Sequence, residues 1–172
     1  MFHILDIDNT LFFTNELNNK AYIFALSSLG LKPLSPCKRI TRTVIASWYP
    51  FLKDEEMIAI IRLKQIYVGE NLYLISINDD LHQLLRKVGP NMVGLWTAAD
   101  PIRIKKILDY NDITNYTYIR FSDKSQDDIG HGIQEFCHVF HCEKNQLCFY
   151  EDDKNVISLL KSHNVQVVEV LA

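Results

Sequence analysis

The chain of 172 residues is 48% hydrophobic and 23% charged, which is typical of a globular protein with one domain, or with a core and a small accessory lobe. Its net charge of −3 provides no broad basic surface, so we expect no nucleic-acid partner. The uncharged apolar stretches are shorter than a membrane span, and the first predicted strand begins at residue 2. We therefore expect no membrane segment, no signal peptide and a cytoplasmic location.

The first predicted strand ends in two aspartates. Residues 2–5 are mostly apolar, and Asp6 and Asp8 follow before a turn at Asn9. Residues i and i+2 of an extended segment lie on the same face. Two like charges so close together are costly to bury unless a cation lies between them, which points to a hard divalent metal such as Mg²⁺. The alternative, from these residues alone, is a strand end with two solvated aspartates.

The stretch that follows is predicted to be mostly helical. Its apolar residues recur at helical spacing, with capping residues and glycine or proline between the segments. A plain alternation of strands and helices would not need so many consecutive helices. The predicted helices run from Thr14 or Asn15 to Gly30, over 38–48, over 54–68 and over 79–88.

After residue 90 the pattern alternates between strands and helices. Apolar runs predict the strands, Pro101 suits the first turn of a helix, and an apolar stripe from Ile129 to Phe140 predicts another helix. Together with the first strand, this predicts an α/β fold with a mainly parallel sheet, whose ligand site lies at the carboxyl ends of the strands. The later predicted strands are 92–97, 116–121, 147–150 and 165–170.

Polar side chains follow the predicted strands in a recognisable order. The D-x-D-x-T pattern at 6–10 is followed by Thr97 at a strand end, by Lys124 at a strand-to-helix junction, and by Glu-Asp-Asp at 151–153. In this order the chain resembles the haloacid dehalogenase superfamily of phosphohydrolases, and the resemblance spans nearly the whole chain. Each motif alone is weak, but their order and their strand-end placement make the set more specific.

The resemblance implies a Rossmann-like core with an α-helical cap inserted after the first strand. Residues 1–13 and 78–172 would form the core, and residues 14–77 would form the cap. In the superfamily such an insertion is a mobile cover over the active site. The alternative is that this stretch is a helical part of the core with no gating role.

The resemblance also implies a role for each strand-end residue. Asp6 would be the nucleophile that forms an aspartyl-phosphate, and Asp8 would protonate the leaving oxygen and later deprotonate the attacking water. Thr97 and Lys124 would hold the transferring phosphoryl group. Asp6, the backbone carbonyl of Asp8 and Asp152 would bind Mg²⁺. The simpler alternatives are that Thr97 caps the next turn and that Lys124 is one of many solvated lysines.

The acidic residues after the strand 147–150 leave one assignment open. Family members with Glu-Asp at this strand end use the Asp on the metal, so Glu151 would orient Asp152. Asp153 is better suited to cap the following helix. The family places a further Asp or Asn four residues after the metal ligand, but Val156 lies there and Asn155 is only three residues after Asp152, so the choice between Asp152 and Asp153 stays open.

These residues predict a Mg²⁺-dependent phosphatase acting on a small phosphorylated metabolite, most like the phosphoglycolate phosphatases and pyrimidine nucleotidases. Lys38, Arg39 and Arg42 on a predicted cap helix would read a second anionic group of the substrate, although a charged helix face is more often only solvated. The alternatives are a phosphomutase, which returns the phosphoryl group to its substrate, and a catalytically silent binding domain on the same fold. The oligomeric state is open.

One further motif superficially resembles a zinc site. The run from Cys137 to Cys142 contains two cysteines and two histidines. On a helix only two of these side chains share a face, whereas a structural zinc site needs four ligands. We therefore favour a surface helix with no metal in this run.

Overall fold

Helices and strands alternate along most of the chain in the computed structural model, which describes residues 1–171. Within that part of the chain, every helix is too short or too polar to cross a membrane. The strands are β1 (Phe2–Leu5), β2 (Phe12–Phe13), β3 (Ser76–Ile77), β4 (Val93–Thr97), β5 (Tyr118–Phe121), β6 (Leu147–Glu151) and β7 (Gln166–Glu169). The helices are α1 (Asn15–Ser28), α2 (Arg42–Trp48), α3 (Asp54–Glu70), α4 (Asp79–Val88), α5 (Pro101–Tyr110), α6 (Gln126–Phe140) and α7 (Lys154–Ser162).

The main sheet has five strands in the order β5-β4-β1-β6-β7, and each neighbouring pair is parallel. This confirms the predicted α/β fold with a mainly parallel sheet. The central strand β1 is bonded to β4 on one side and to β6 on the other. Because parallel strands end at the same edge of a sheet, the residues that follow these three strands emerge next to one another.

The apolar stripe of α6 covers one face of the sheet. Ile129, Ile133, Phe136 and Phe140 are buried at spacings of three and four residues, as predicted for one face of a helix. The ring of Phe136 lies 5.7 Å from that of Trp96 on β4, measured between centroids. This packing fixes the helix against the strand that carries Thr97 at its end.

The chain divides into two compact units. One contains residues 1–13 together with the chain from residue 77 onward, and the other contains residues 14–76. The second unit has its own apolar core, because buried residues of α1, α2 and α3 contact one another and include Leu26, Ile45 and Ile60. Its proposed role as a mobile cap stays a prediction.

The helix predicted over 38–48 begins four residues later, at Arg42, so the placement of Lys38 and Arg39 on a cap helix is wrong. Thr41 is extended and its hydroxyl accepts a hydrogen bond from the amide of Val44, which makes it the N-cap. The preceding backbone is bonded elsewhere, since the Ile40 amide donates to the Asn19 side chain. These side-chain bonds therefore outweigh the helical propensity of residues 38–41. Of the three basic residues, only Arg42 lies on α2.

We predict that Gly132→Ala destabilises the protein, because a methyl group there would lie 2.1 Å from Cη2 of the buried Trp96. Overpacking of this kind lowers the free energy of unfolding by about 1–3 kcal/mol. Gly130→Ala is the matched control on α6, since its methyl group would meet only the ring of the exposed His163, at 3.2 Å. Urea unfolding measures both variants, and a larger loss for Gly130→Ala would contradict the prediction.

Candidate active site

The predicted site residues Asp6, Thr97 and Glu151 emerge side by side at the carboxyl edge of the sheet. Thr97 and Glu151 are the last residues of β4 and β6, and Asp6 follows β1 between them. The amide of Asp6 donates to the carbonyl of Tyr150 at 3.0 Å, which extends the ladder between β1 and β6 to the first carboxylate. All three residues are buried.

The turn after Asp6 is tightly hydrogen-bonded. Asn9 takes a left-handed conformation with φ of 59°, which asparagine tolerates better than most residues. Its amide donates to the carbonyl of Phe12 at 2.7 Å, and the amide of Leu11 donates to the carbonyl of Asp6 at 3.3 Å. The hydroxyl of Thr10 donates to Asp152 at 3.4 Å, which links the first motif to the last.

Lys124 binds two of the carboxylates directly. Its ammonium group lies 2.6 Å from Oδ1 of Asp6 and 2.6 Å from Oε2 of Glu151. The three residues are only 5%, 7% and 4% exposed, so this ion pairing takes place away from bulk water. The structure therefore brings Lys124 to the nucleophile position inferred from the sequence, and the solvated-lysine alternative does not describe this residue.

The electrostatics of this group show an excess of negative charge. The pKa of Asp6 is raised to about 7, chiefly by burial; Lys124 lowers it, and the neighbouring Glu151 and Asp8 raise it. Burial alone would lower the pKa of Lys124, but its ion pairs with Asp6 and Glu151 raise it. One ammonium group therefore does not balance the carboxylates gathered here.

Lys124 is presented by a strained turn between β5 and α6. Its φ is 55°, in the left-handed region that non-glycine residues adopt with some strain. Two hydrogen bonds hold the residues next to this turn. The indole of Trp96 donates to Ser122 at 2.7 Å, and Ser122 donates to Asp128 at 2.5 Å. The carboxylate of Asp128 is also ion-paired with Arg120.

The three acidic residues at the end of β6 and directly after it have different partners. Oε1 of Glu151 accepts from the amides of Asp152 and Asp153, both at 3.1 Å, while Oε2 binds Lys124. Asp153 is the N-cap of α7 and accepts from the amides of Asn155 and Val156 at 2.8 and 3.1 Å. The carboxylate of Asp153 is therefore engaged with its own helix.

The donor set at this edge fits a hard divalent cation. One carboxylate oxygen from each of Asp6, Glu151 and Asp152 lies within 4.8 Å of the others. Oxygen donors are the ligands that Mg²⁺ prefers, and three carboxylates meet here while Lys124 contributes one ammonium group. In residues 1–171 this is the one group of three or more acidic, histidine or cysteine side chains with such spacing, so the run from Cys137 to Cys142 forms no comparable cluster.

Thr97 is buried, and its hydroxyl oxygen accepts from the amide of Ala99 at 3.1 Å. The cap of α5 is a different residue, Asp100, which accepts from the amide of Arg103 at 2.9 Å. A hydroxyl group that accepts one bond still has its proton to donate. Thr97 can therefore shape the turn and donate to an anion at the sheet edge.

Arg103 is a site residue that the sequence motifs do not indicate. Its guanidinium group binds both oxygens of Asp8, with Nη1 lying 3.0 Å from Oδ1 and Nη2 in contact with Oδ2. Arg103 lies in the first turn of α5, directly after the loop that follows Thr97. The helix start at Asp100-Pro101 predicts that Arg103 lies near the sheet edge. No sequence pattern pairs Arg103 with Asp8, which is 95 residues away.

The chain matches no protein-family model and no curated protein. Among solved structures it is similar to a protein from Haemophilus somnus assigned as a phosphoglycolate phosphatase, with 16% identity, a TM-score of 0.77, and coverage of 98% of this chain and 84% of the other. It is similar to a haloacid dehalogenase-like hydrolase from Streptococcus pneumoniae, with 16% identity, a TM-score of 0.69, and coverage of 98% and 84%. It is also similar to a Thermotoga maritima protein assigned as a β-phosphoglucomutase, with 17% identity, a TM-score of 0.72, and coverage of 99% and 86%. The chain therefore has the haloacid dehalogenase-like fold, as the sequence resemblance implied.

Proposed function

We propose that the protein is a phosphatase that hydrolyses a small phosphorylated substrate through an aspartyl-phosphate on Asp6. The observation that carries the proposal is the buried ion pair between Asp6 and Lys124, 2.6 Å apart at the carboxyl edge of the sheet, with Asp8 two residues further on. The likeness to solved structures assigned as phosphatases supports the same chemistry.

The first half of the reaction forms the covalent intermediate. An oxygen of Asp6 attacks phosphorus while the bond between phosphorus and the leaving oxygen breaks, and a proton from Asp8 goes to that oxygen. Lys124 and the hydroxyl of Thr97 donate hydrogen bonds to the oxygens of the transferring group, where negative charge is concentrated. Because Lys124 already binds Asp6, it can hold the phosphoryl group next to the attacking oxygen.

The second half releases inorganic phosphate. Water attacks the aspartyl-phosphate, its proton goes to Asp8, and the carboxylate of Asp6 is regenerated as the bond between phosphorus and the Asp6 oxygen breaks. The two aspartates thus have separate tasks, and their different surroundings suit them to these tasks: Asp6 contacts Lys124, and Asp8 contacts Arg103.

A bound Mg²⁺ would supply the remaining positive charge that the attack of a carboxylate on a phosphate dianion requires. We infer that the side chains of Asp6 and Asp152, with the backbone carbonyl of Asp8, would hold it. Glu151 belongs to the same acidic cluster, but its two oxygens bind Lys124 and two backbone amides, so its main task is to orient those groups.

A phosphomutase is the second candidate, because one structural neighbour is assigned as a β-phosphoglucomutase. It would use the same Asp6 and Asp8, but would return the phosphoryl group to substrate instead of water. Release of inorganic phosphate from phosphomonoesters, with Mg²⁺ and with EDTA, separates the two functions. A catalytically silent protein would release none.

We predict that Asp6→Asn lowers kcat for phosphate release by more than about a hundredfold, because an amide is too weak a nucleophile to form the intermediate. Asp109→Asn is the control, since it is the same substitution at an exposed position on α5. Thermal unfolding checks that both variants fold. A residual rate in folded Asp6→Asn above a hundredth of the control would overturn the nucleophile assignment.

Lys124→Met is expected to lower kcat by roughly 10²–10³-fold at saturating Mg²⁺, because it removes a donor to the transferring phosphoryl group. It also leaves the buried Asp6 and Glu151 without their cation, so the free energy of unfolding should fall by about 3–5 kcal/mol. Lys144→Met is the matched control, since that lysine is exposed and donates to the backbone carbonyl of His163 at 3.3 Å. A larger rate loss for Lys144→Met would mean that the wrong lysine has been assigned.

The metal-ligand assignment predicts different results for two adjacent aspartates. Asp152→Asn should weaken Mg²⁺ binding by roughly tenfold or more, measured by titration calorimetry and by the Mg²⁺ dependence of phosphate release. Asp153→Asn keeps a capping oxygen for α7 and should change Mg²⁺ binding little. If Asp153→Asn weakens Mg²⁺ binding more than Asp152→Asn does, the assignment is wrong.

A further inference from the structure

Arg103 occupies the part of the candidate site next to Asp8. The guanidinium group contacts both carboxylate oxygens, and the two side chains are only 14% and 11% exposed. The planar fork of an arginine binds carboxylates and phosphates in the same two-bond arrangement. Arg103 could therefore exchange Asp8 for another anion without changing its own geometry.

The backbone of Arg103 is fixed while its side chain is long. The amide of Arg103 donates to Asp100 at the start of α5, and Ile104 and Ile107 anchor the helix in the core. Only rotation about the side-chain bonds is needed to move the guanidinium from one partner to another. The backbone of Arg103 is thus held in place, while its guanidinium group can change partners by side-chain rotation.

Lys124 is engaged elsewhere in the site. Its ammonium group is bound between Asp6 and Glu151, at 2.6 Å from each. In the proposed reaction, Asp6 and Lys124 contact the phosphoryl group, whereas Asp8 contacts the oxygen of the leaving group. The cation next to Asp8 is therefore placed to meet the leaving group.

The contact between Arg103 and Asp8 competes with the proton transfer proposed for Asp8. Arg103 contacts both oxygens of Asp8, and the proposed reaction uses one of them for proton transfer, so the transfer is easiest when the guanidinium group leaves that oxygen. Opening the pair is unfavourable unless Arg103 gains another anionic partner. A negative group on the leaving alcohol would be such a partner.

We propose that Arg103 is a specificity-determining residue that binds an anionic group on the leaving alcohol, so that the substrates are phosphomonoesters whose alcohol carries a carboxylate or a second phosphate near the ester oxygen. The inference rests on the proposed phosphatase function and on the tasks given there to Asp6 and Asp8. The leaving oxygen lies within hydrogen-bond reach of Asp8 during proton transfer. An anion one or two bonds beyond that oxygen therefore comes within reach of the guanidinium group that now holds Asp8.

The test compares esters with the same carbon skeleton, one with and one without a negative group on the alcohol. Phospholactate is compared with its neutral amide, and ethylene glycol bisphosphate with ethylene glycol monophosphate, so that the carboxylate and the phosphate are tested separately. Phosphate release gives kcat/KM for the wild type, Arg103→Gln, Arg103→Lys and the control Lys106→Gln. Lys106 is exposed on the same helix, and its substitution makes the same change in charge.

The wild type should prefer the charged member of at least one pair. Arg103→Gln should reduce that preference by roughly 10- to 100-fold, the range that a hydrogen bond to a charged group contributes. Arg103→Lys should restore only part of it, because an ammonium group cannot make the two-bond contact. Lys106→Gln should keep the preference of the wild type.

The contrary outcomes are distinct. If Arg103→Gln lowers kcat/KM equally for both members of each pair, Arg103 only positions Asp8 and the inference is overturned. If the wild type hydrolyses both members equally well, the inference is overturned while the phosphatase function stands. If no ester in either pair releases phosphate and the Asp6→Asn variant is indistinguishable from wild type, the proposed function fails and the inference fails with it.

Discussion

The buried contact of Lys124 with Asp6 and Glu151 is the interaction on which the arrangement of the sheet edge depends. Removing the ammonium group would leave two buried carboxylates without their cation, and an unpaired ion is far more costly there than in water. The sheet order makes the contact possible, since β1 and β6 are bonded neighbours and their ends carry the two acids. The amides of Asp152 and Asp153 satisfy the remaining oxygen of Glu151, so the group needs little water for its hydrogen bonds.

The same contact explains why the chain accepts strain at Lys124. A left-handed conformation is unfavourable for a residue with a side chain, by roughly 1–3 kcal/mol, and it persists only where the surroundings determine it. Here the surroundings are the carboxylates of Asp6 and Glu151, which bind the Lys124 ammonium group, and the hydrogen bonds from Trp96 through Ser122 to Asp128. A lysine in an ordinary extended loop would be more mobile, and would spend much of its time in solvent.

Sequence reasoning reached the fold because its main signals are local. The apolar residues of 93–96 and 147–150 form buried strands, and the polar residues at the ends of these strands lie at one edge whatever the details of packing. It failed where distant side chains compete with the backbone. The start of α2 moved to Arg42 because Asn18 and Asn19 of α1 bond to the chain near Ile40, and no periodicity in the segment 38–48 reveals this. The direct bond between Glu151 and Lys124 depends on the rotamers of two side chains, which a sequence motif likewise does not predict.

Arg103 shows most clearly what a linear pattern leaves out. Two aspartates two residues apart have the same intrinsic acidity, so a site that needs one as nucleophile and the other as proton carrier must give them different surroundings. The motif contains only the two acids, and the difference comes from cations on separate elements: Lys124 before α6 for Asp6, and Arg103 in α5 for Asp8. In the proposed reaction, the phosphoryl side and the leaving-group side of the site thus each have their own cation. Because Lys124 is bound between two carboxylates while Arg103 is bound to Asp8, the leaving-group side of the proposed reaction is the one that can respond to the substrate, and it is where selection among phosphate esters would take place.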